Sequence, residues 1–307
     1  MLSIAASLLA PIIVLSAPDD AATEKVQPSE PVAYELKYKF KKGDSVFYAV
    51  SHSTNTTSQL AQQKQVITER VRERKHIVVT ETADDGSFVL QTVFDHVVME
   101  ADMGSKKVRF DSKKPPKHDP PGFGAFRKKI EKPRFQVQIK PSGALIAIRR
   151  LAAAGSSSAE SAGKSGDGSS FLVVFPDRPL KVGTTWREDY SVRLPMTQEI
   201  VRKITIMRTY RLNSVKDGVA HISFGSSLKT PVKDPAVLAK LVQSTPSGTV
   251  EFDIEAGQIV KRTMKVDEMV LNHSGPQSML KTSSRRIEKR VAPREATEVS
   301  KEAATAE

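Results

Sequence analysis

Cysteine is absent from this chain of 307 residues. Its absence excludes disulfides, thiolate metal sites and cysteine nucleophiles, and also the lipid anchor of bacterial lipoproteins, which requires a cysteine at the cleavage point. Histidine is scarce, and no two of the six are closer than twenty positions: His52, His76, His96, His118, His221 and His273. This spacing offers no pair of zinc ligands on one face of an element, so we expect structural histidines and no metal site.

The chain also lacks the short motifs that mark common enzyme classes. It has no Gly-x-Ser-x-Gly nucleophile elbow, no phosphate-cradling loop and no dinucleotide-binding fingerprint. The aspartates that precede Gly86 and Gly218 lie in predicted turns, where the backbone geometry itself favours aspartate, so they give little support to acid–base catalysis. We therefore expect no catalytic residue, no cofactor and no enzymatic activity.

Basic residues outnumber acidic ones, with 47 Lys and Arg against 35 Asp and Glu and a net charge of +12. Such an excess is typical of proteins that contact lipid head groups, an anionic cell-wall polymer or nucleic acid, although a solvated basic surface needs no partner. Arg70, Arg72 and Arg74 recur at every second position, which places them on one face of a predicted strand. No aromatic residues are interleaved with them, so a solvated face is favoured over a ligand-facing stripe, and we do not expect nucleic acid as a partner.

Residues 2–17 form an apolar run that contains Pro11 and ends in small residues before Pro18-Asp19-Asp20. The run is too short for a comfortable membrane span and resembles a secretory signal peptide, although no Lys or Arg precedes it. We predict a signal peptide over residues 1–17, a disordered linker over residues 18–33, and export to the periplasm or beyond. An uncleaved N-terminal anchor is the alternative.

Two stretches of the sequence begin a strand in the same way. In residues 40–48 and 180–186, a basic residue and a glycine, Gly43 or Gly183, precede small polar residues and an aromatic-bearing strand. Each is followed by long strand-like sequence and by an Asp-Gly turn, at Gly86 and at Gly218. We predict two related β halves, residues 34–154 and 171–290, joined by a flexible Gly/Ser linker over residues 155–170 and followed by a disordered tail over residues 291–307.

The spacing of the turns predicts a mainly β fold, an antiparallel meander of long strands. The predicted strands cover residues 34–40, 46–53, 65–82, 88–103, 106–111, 134–139, 144–149, 186–193, 199–215, 219–228, 248–254, 258–273 and 278–290. Long antiparallel strands twist and curl, which favours a bent sheet or half-barrel. Two short helices are predicted, one within residues 122–130 and one beginning at Pro235 behind the N-cap residue Asp234. Trp186, the only tryptophan, is predicted to pack in the core.

Four motifs together resemble those of a known family. They are Tyr38-Lys-Phe-Lys-Lys-Gly43-Asp-Ser-Val-Phe-Tyr48, Ala83-Asp-Asp-Gly86-Ser-Phe88, Phe175-Pro-Asp-Arg-Pro-Leu-Lys-Val-Gly-Thr-Thr-Trp186, and Gly248-Thr-Val-Glu-Phe-Asp253 with Ala256-Gly257. Over residues 34–290 the chain is similar to exported bacterial proteins that carry a β-rich domain of unknown function. The resemblance implies export and a β fold, and it assigns no activity or site residue. The expected half-barrel also resembles periplasmic lipoprotein carriers, in fold only.

These observations favour an extracytoplasmic, non-catalytic binding module whose bent sheet holds an apolar or amphiphilic ligand such as a lipid. The alternative is a structural or interaction protein whose basic surface contacts an anionic envelope polymer. A real cavity with an apolar lining would favour the first function, and a filled core with a one-sided basic surface would favour the second. The sequence assigns no ligand-binding residue to either. We expect a monomer without a transmembrane span in the mature chain.

Overall fold

The computed structural model describes residues 32–130, 135–151, 161–162, 172–196 and 201–293, all within the compact unit Val32–Glu307. The predicted signal peptide lies outside the described residues, as do most of the predicted linkers and of the C-terminal tail. The division into two halves and their flanking segments therefore stays a prediction.

These residues form fifteen strands and two short α-helices. The strands are β1 (Ala33–Tyr34), β2 (Ser45–Leu60), β3 (Gln63–Thr82), β4 (Phe88–Asp102), β5 (Lys107–Asp111), β6 (Phe135–Ile139), β7 (Leu145–Arg150), β8 (Ser161–Ala162), β9 (Leu180–Lys181), β10 (Thr185–Pro195), β11 (Val201–Lys216), β12 (Val219–Leu228), β13 (Ser247–Asp253), β14 (Gln258–Leu271) and β15 (Ser278–Val291). The helices are α1 (Gly124–Ile130) and α2 (Pro235–Leu241). The mainly β prediction is confirmed.

Thirteen of the strands form one antiparallel sheet in the order β10-β11-β12-β13-β14-β15-β2-β3-β4-β6-β7-β8, with β5 paired to β4. The sheet is open, because β10 and β8 each have one neighbour within the described residues. Alternation explains the strands: in β11, Ile204, Ile206, Arg208, Tyr210 and Leu212 are buried on one face, and the odd-numbered residues between them point away from the core. A segment with this period of two is stable as a strand whose one face is covered.

The two predicted halves meet in the sheet where the last strand of the described chain, β15, pairs with β2. β15 pairs with β2 from Ser278 opposite Leu60 to Val291 opposite Phe47, and this pairing makes one continuous sheet of both halves. The meander holds within each half, since β10 to β15 are successive neighbours, as are β2 to β4. β2-β3-β4 and β10-β11-β12 thus have the same strand order and the same antiparallel directions.

The prediction that Gly43 and Gly183 occupy equivalent positions is confirmed. The amide of Gly43 donates a hydrogen bond to the carbonyl of Val79 at 2.8 Å, and that of Gly183 donates to the carbonyl of Leu212 at 2.7 Å. Each glycine has φ of +90°, a conformation that side chains other than glycine rarely adopt. Each turn therefore ties the start of its strand to the next strand of the sheet, β3 or β11.

The prediction of a strand over residues 34–40 is wrong beyond Tyr34. Only β1 is paired, with β9, and the described chain then contains no strand until β2. The alternation is real, since Leu36, Tyr38 and Phe40 are buried, but these side chains fill the core from an extended segment. Its backbone is held by single hydrogen bonds, such as that from the Tyr38 amide to the Pro141 carbonyl at 2.7 Å. Alternating burial requires a covered face, and it does not require a neighbouring strand.

The main core is aromatic and lies on one face of the sheet, here called the inner face. Trp186 is 8% exposed, stacks on Tyr210 at 5.3 Å between ring centroids, and donates its indole N–H to the carbonyl of Val174 at 2.8 Å. The predicted core position of Trp186 is confirmed. Tyr38 packs edge-on against Phe252 in the same cluster, at 5.4 Å between ring centroids.

Both predicted helices are present, and both pack on the inner face. Asp234 caps α2 by accepting a hydrogen bond from the Ala236 amide at 2.8 Å, as its sequence predicted. Val237 of α2 packs against β10 and β11, and Ile130 of α1 packs against β4 and β5, at the two sides of the sheet. Neither described helix has the length and hydrophobicity needed to span a membrane.

Candidate ligand-binding site

A cavity of about 560 Å³ lies between the inner face of β14, β15 and β2 and residues 239–246, here called the covering segment, which contains the end of α2. The helix α2 packs on β10 and β11, and the residues that follow it extend across the sheet. The cavity is the space that remains beneath these residues. The residues that line it include His52, Thr54, Thr56, Glu69, Ala239, Lys240, Val242, Gln243, Pro246, Met264, Val266, Leu280, Thr282, Ser284 and Arg286.

The floor of the cavity combines hydroxyl and apolar side chains. Thr54 lies opposite Ser284, and Thr56 lies opposite Thr282, so that β2 and β15 present two rows of paired hydroxyls. Apolar side chains complete the lining, and they come from β14, β15 and the covering segment: Val242, Pro246, Met264, Val266 and Leu280. The lining is amphiphilic rather than apolar.

The covering segment is fixed to the sheet by polar contacts. The Ser244 carbonyl accepts a hydrogen bond from the Tyr190 hydroxyl at 2.6 Å, and the Pro246 carbonyl accepts one from the Ser226 hydroxyl at 2.7 Å. Ser284 on the floor donates to the side-chain oxygen of Gln243 at 3.2 Å. The cavity is therefore held open by hydrogen bonds from several strands, which is the arrangement expected of a preformed site.

A buried arginine contributes to the position of the covering segment. Arg208 is 4% exposed and lies 4.7 Å from the ring centre of Tyr190 and 5.4 Å from that of Phe224, a cation–π arrangement. Its guanidinium also donates to the Tyr190 hydroxyl at 3.1 Å. Since the Tyr190 hydroxyl donates to the Ser244 carbonyl, Arg208 positions the hydroxyl that binds the covering segment.

His52 is the histidine that the fold brings to the cavity. Its Nε2 lies 3.2 Å from the hydroxyl of Thr54. Partial burial and the neighbouring Arg286 lower the pKa of His52, against the opposing effect of Glu73 and Glu69. The lowered pKa favours the uncharged imidazole, which offers the cavity a hydrogen-bonding group.

A cluster of buried charges separates the cavity from the aromatic core. Glu288 lies 2.5 Å from the ammonium of Lys75 and 2.5 Å from the guanidinium of Arg262, and all three side chains are at most 7% exposed. Burial alone would raise the pKa of Glu288, but Arg262 and Lys75 outweigh it and lower the pKa to about 2. Next to them, Arg286 pairs with Glu73 at 3.1 Å and forms one end of the cavity wall.

The stripe of Arg70, Arg72 and Arg74 lies on the opposite, outer face of the sheet, away from the cavity. Across β14, β15, β2 and β3, where all four strands pair, that face carries nine basic side chains and one carboxylate, Asp267. We call the nine the outer basic patch: Lys64, Arg70, Arg72, Arg74, Lys261, Lys265, Lys281, Arg285 and Lys289. Some of these side chains contact adjacent strands: Arg72 is in an ion pair with Glu100 at 3.3 Å, and Lys261 with Glu251 at 3.5 Å.

The other histidines are dispersed through the described sheet and loops. His76 on β3 lies 2.9 Å from a carboxylate oxygen of Asp95, and His96 on β4 lies 2.8 Å from one of Asp111. Within the part of the chain that the structure describes, no three potential metal ligands come together.

Sequence reasoning did not find the residues that line the cavity. A signal was present: on β2 the buried apolar positions Val46, Tyr48 and Val50 are followed, at the same alternate spacing, by His52, Thr54 and Thr56. A polar interruption of an apolar face marks a place where the face is not packed. Assigning it to a cavity also requires knowing that β2 and β15 are neighbours, which the local pattern does not specify.

Comparison with known proteins gives one family match. The sequence model of a family of unknown function (DUF6263) matches residues 165–268, which extend from before β9 into β14. The match contains the two motifs at residues 175–186 and 248–257, for which it agrees with the predicted resemblance, and the motifs at residues 38–48 and 83–88 lie outside it. A search of the curated proteins found no match.

Among solved structures the similarities are distant. A structure of lipovitellin described as showing lipid–protein interactions is 8% identical, with a TM-score of 0.46, over 83% of this chain and 26% of that one. This chain thus spans about a quarter of the lipovitellin chain. DynF from the dynemicin biosynthesis pathway of Micromonospora chersina is 9% identical, with a TM-score of 0.22, over 93% of this chain and 95% of that one. No residue role is transferred from either protein.

Proposed function

We propose that this chain is an exported, non-catalytic binding module that holds one amphiphilic molecule, such as a single-chain lipid, in the cavity of the inner face. The observation that carries the proposal is the lining of the cavity. Its volume of about 560 Å³ is in the range of small-molecule sites, and apolar and hydroxyl side chains share its wall.

The lining matches the two parts of an amphiphile. Met264, Val266 and Leu280 offer apolar surface to a hydrocarbon chain, at about 25 cal/mol for each Å² removed from water. The hydroxyl rows of β2 and β15, with His52 and Arg286 at one end, offer hydrogen bonds to a polar head group. A wholly apolar ligand would leave these polar groups without water or a partner, which is unfavourable. The mixed lining therefore supports an amphiphilic ligand over a wholly apolar one.

The test is the binding of a fluorescent single-chain fatty acid, present as a monomer, to the purified protein in free solution. Thr56→Trp places a large side chain in the cavity, and we expect it to weaken binding at least about tenfold. Thr57→Trp is the matched control, because Thr57 is the next residue of β2 and faces outward, so binding should stay within about twofold. Equal affinities of the two variants, or no binding by the parent protein, would contradict the proposal.

Export is part of the proposal, and it is supported by the apolar run over residues 2–17 and the acidic, proline-containing sequence that follows. N-terminal sequencing of the protein from its native host tests it. We expect a mature chain that begins near residues 17–23. An intact Met1 on protein in the cytoplasm would contradict export.

A further inference from the structure

The end of the four strands β14, β15, β2 and β3 exposes apolar side chains that the core does not use. Among the described residues, half of the strongly exposed large apolar side chains lie here: Leu60, Val66, Met269 and Leu271, which are 46–56% exposed. Val66, Met269 and Leu271 are on the outer face, with Lys281 between Val66 and Met269 in the cross-strand register. We call these four apolar residues the apolar tip.

Basic residues follow the apolar tip along the outer face in cross-strand rows. One row places Lys265 directly opposite Arg285, with Arg70 two strands beyond, and another places Lys261 opposite Lys289. Like charges directly opposite each other destabilise a sheet, so the fold itself gains nothing from these pairs. On the inner face of the same strands, by contrast, the basic side chains of Lys75 and Arg262 converge on a carboxylate.

We propose that the apolar tip and the outer basic patch form one docking surface for a membrane that contains anionic lipids. The patch supplies attraction to head groups, and the tip supplies side chains that enter the interface between head groups and acyl chains. This combination of exposed apolar and basic residues on one surface is what binds proteins to anionic bilayers. Neither part is explained by the cavity, so the inference goes beyond the proposed function.

The docking surface and the cavity share their strands. Leu280, which lines the cavity, is two residues from Ser278, the residue paired with Leu60 of the apolar tip. Two residues of a strand span about 7 Å, so a docked membrane surface would lie close to one end of the cavity. The arrangement suits a module that takes an amphiphile from a membrane or returns it there.

The test is flotation with vesicles of phosphatidylcholine alone and of phosphatidylcholine with about one third phosphatidylglycerol, at low salt. We expect the protein to bind the anionic vesicles and to be released by high salt, and to bind neutral vesicles weakly. The double variant Lys265→Glu and Arg285→Glu should lower the partition coefficient about 30-fold or more, since each basic residue at an anionic surface contributes about fivefold. Met269→Ser with Leu271→Ser should lower it about tenfold.

The control variants make the same kinds of change, in charge and in exposed apolar surface, at positions outside the docking surface. Arg187→Glu with Arg211→Glu makes the same change of charge on exposed positions of β10 and β11, and Val201→Ser removes an apolar side chain that is 57% exposed. We expect less than a threefold change from either control. An equal loss in the Arg187 and Arg211 variant would overturn the inference, as would equal binding to neutral vesicles.

One further outcome bears on the identity of the partner. Retention on an immobilised anionic polymer without binding to anionic vesicles would assign the patch to a polymer and overturn membrane docking. Because fatty-acid binding is measured without vesicles, failure of docking and failure of the cavity proposal are distinguishable. Thermal unfolding of each variant serves as the check that the surface substitutions leave the fold intact.

Discussion

Replacing Glu288 by glutamine tests whether the buried charges between the cavity and the aromatic core stabilise the folded protein. Glu288 is 4% exposed and is the shared partner of Lys75 and Arg262, which belong to β3 and β14. Glu288→Gln keeps the size of the side chain and removes its charge. Two buried cations are then left without their shared carboxylate, and removal of one partner from a buried ion pair costs about 3–5 kcal/mol of unfolding free energy.

The pKa gives a separate measure of the same interaction. The folded protein lowers the pKa of Glu288 from its ordinary value of 4.5 to about 2, a difference worth about 3 kcal/mol. Because the folded-state value is the lower one, this stability is fully present above pH 4.5 and is lost as the pH falls toward 2. By pH 3 the unfolding free energy of the parent protein should have fallen by about 2 kcal/mol from this cause, and that of the Glu288→Gln variant should not fall from it.

Urea unfolding, followed by the fluorescence of the single tryptophan, measures both effects. The difference between parent and Glu288→Gln should be about 3–5 kcal/mol at pH 7 and should narrow as the pH falls below 4.5. Glu73→Gln is the control, because its pair with Arg286 is more exposed, at 15% and 24%, and we expect a loss of about 1 kcal/mol or less.

If Glu288→Gln does not fold, the double variant with Lys75→Met restores the net charge of the cluster and should recover a measurable transition. A difference between parent and Glu288→Gln that stays constant from pH 7 to pH 3 would refute the assigned charge state. An unchanged urea midpoint at pH 7 would refute the role of the cluster.

Three other predictions concern single positions. Trp186→Ala should cost about 3–5 kcal/mol of unfolding free energy, as the loss of a large buried aromatic does, and an unchanged denaturant midpoint would contradict its role in the core. Gly248→Ala should destabilise the protein far more than Gly225→Ala, because a Cβ at Gly248 would lie 1.9 Å from the carbonyl oxygen of Thr263 while one at Gly225 meets no atom within 4 Å; thermal unfolding of the pair decides it. The pKa of His52, measured by NMR titration, should be below 6.5, and a value above that would contradict the surroundings described for it.

Most strands could be predicted because their signals are local. The alternation in β11 and the turn at Gly218 each depend on a few adjacent residues, and the structure places strands and turn where the pattern indicates. The same local rule failed at Tyr38, where an apolar alternation fills the core without a neighbouring strand. The rule detects which side chains are buried, and it does not detect what covers them.

The cavity and the buried charges could not be predicted because they depend on distant pairing. Lys75 and Glu288 meet because β15 pairs with β2, which in turn pairs with β3. In the sequence both are ordinary charged residues of an alternating strand. The register that unites them follows from contacts across more than two hundred residues, for which a single sequence carries no local signal.

The most direct test of the proposed function is to locate a bound amphiphile by cross-linking. A single-chain fatty acid with a photoreactive group near its methyl end is bound as a monomer and activated. The labelled residues are then identified by mass spectrometry. We predict labels on the apolar lining, in the peptides that contain Met264, Val266 and Leu280, and competition by unlabelled fatty acid. Labels confined to outer-face residues, or spread over the protein without competition, would contradict a ligand site in the cavity.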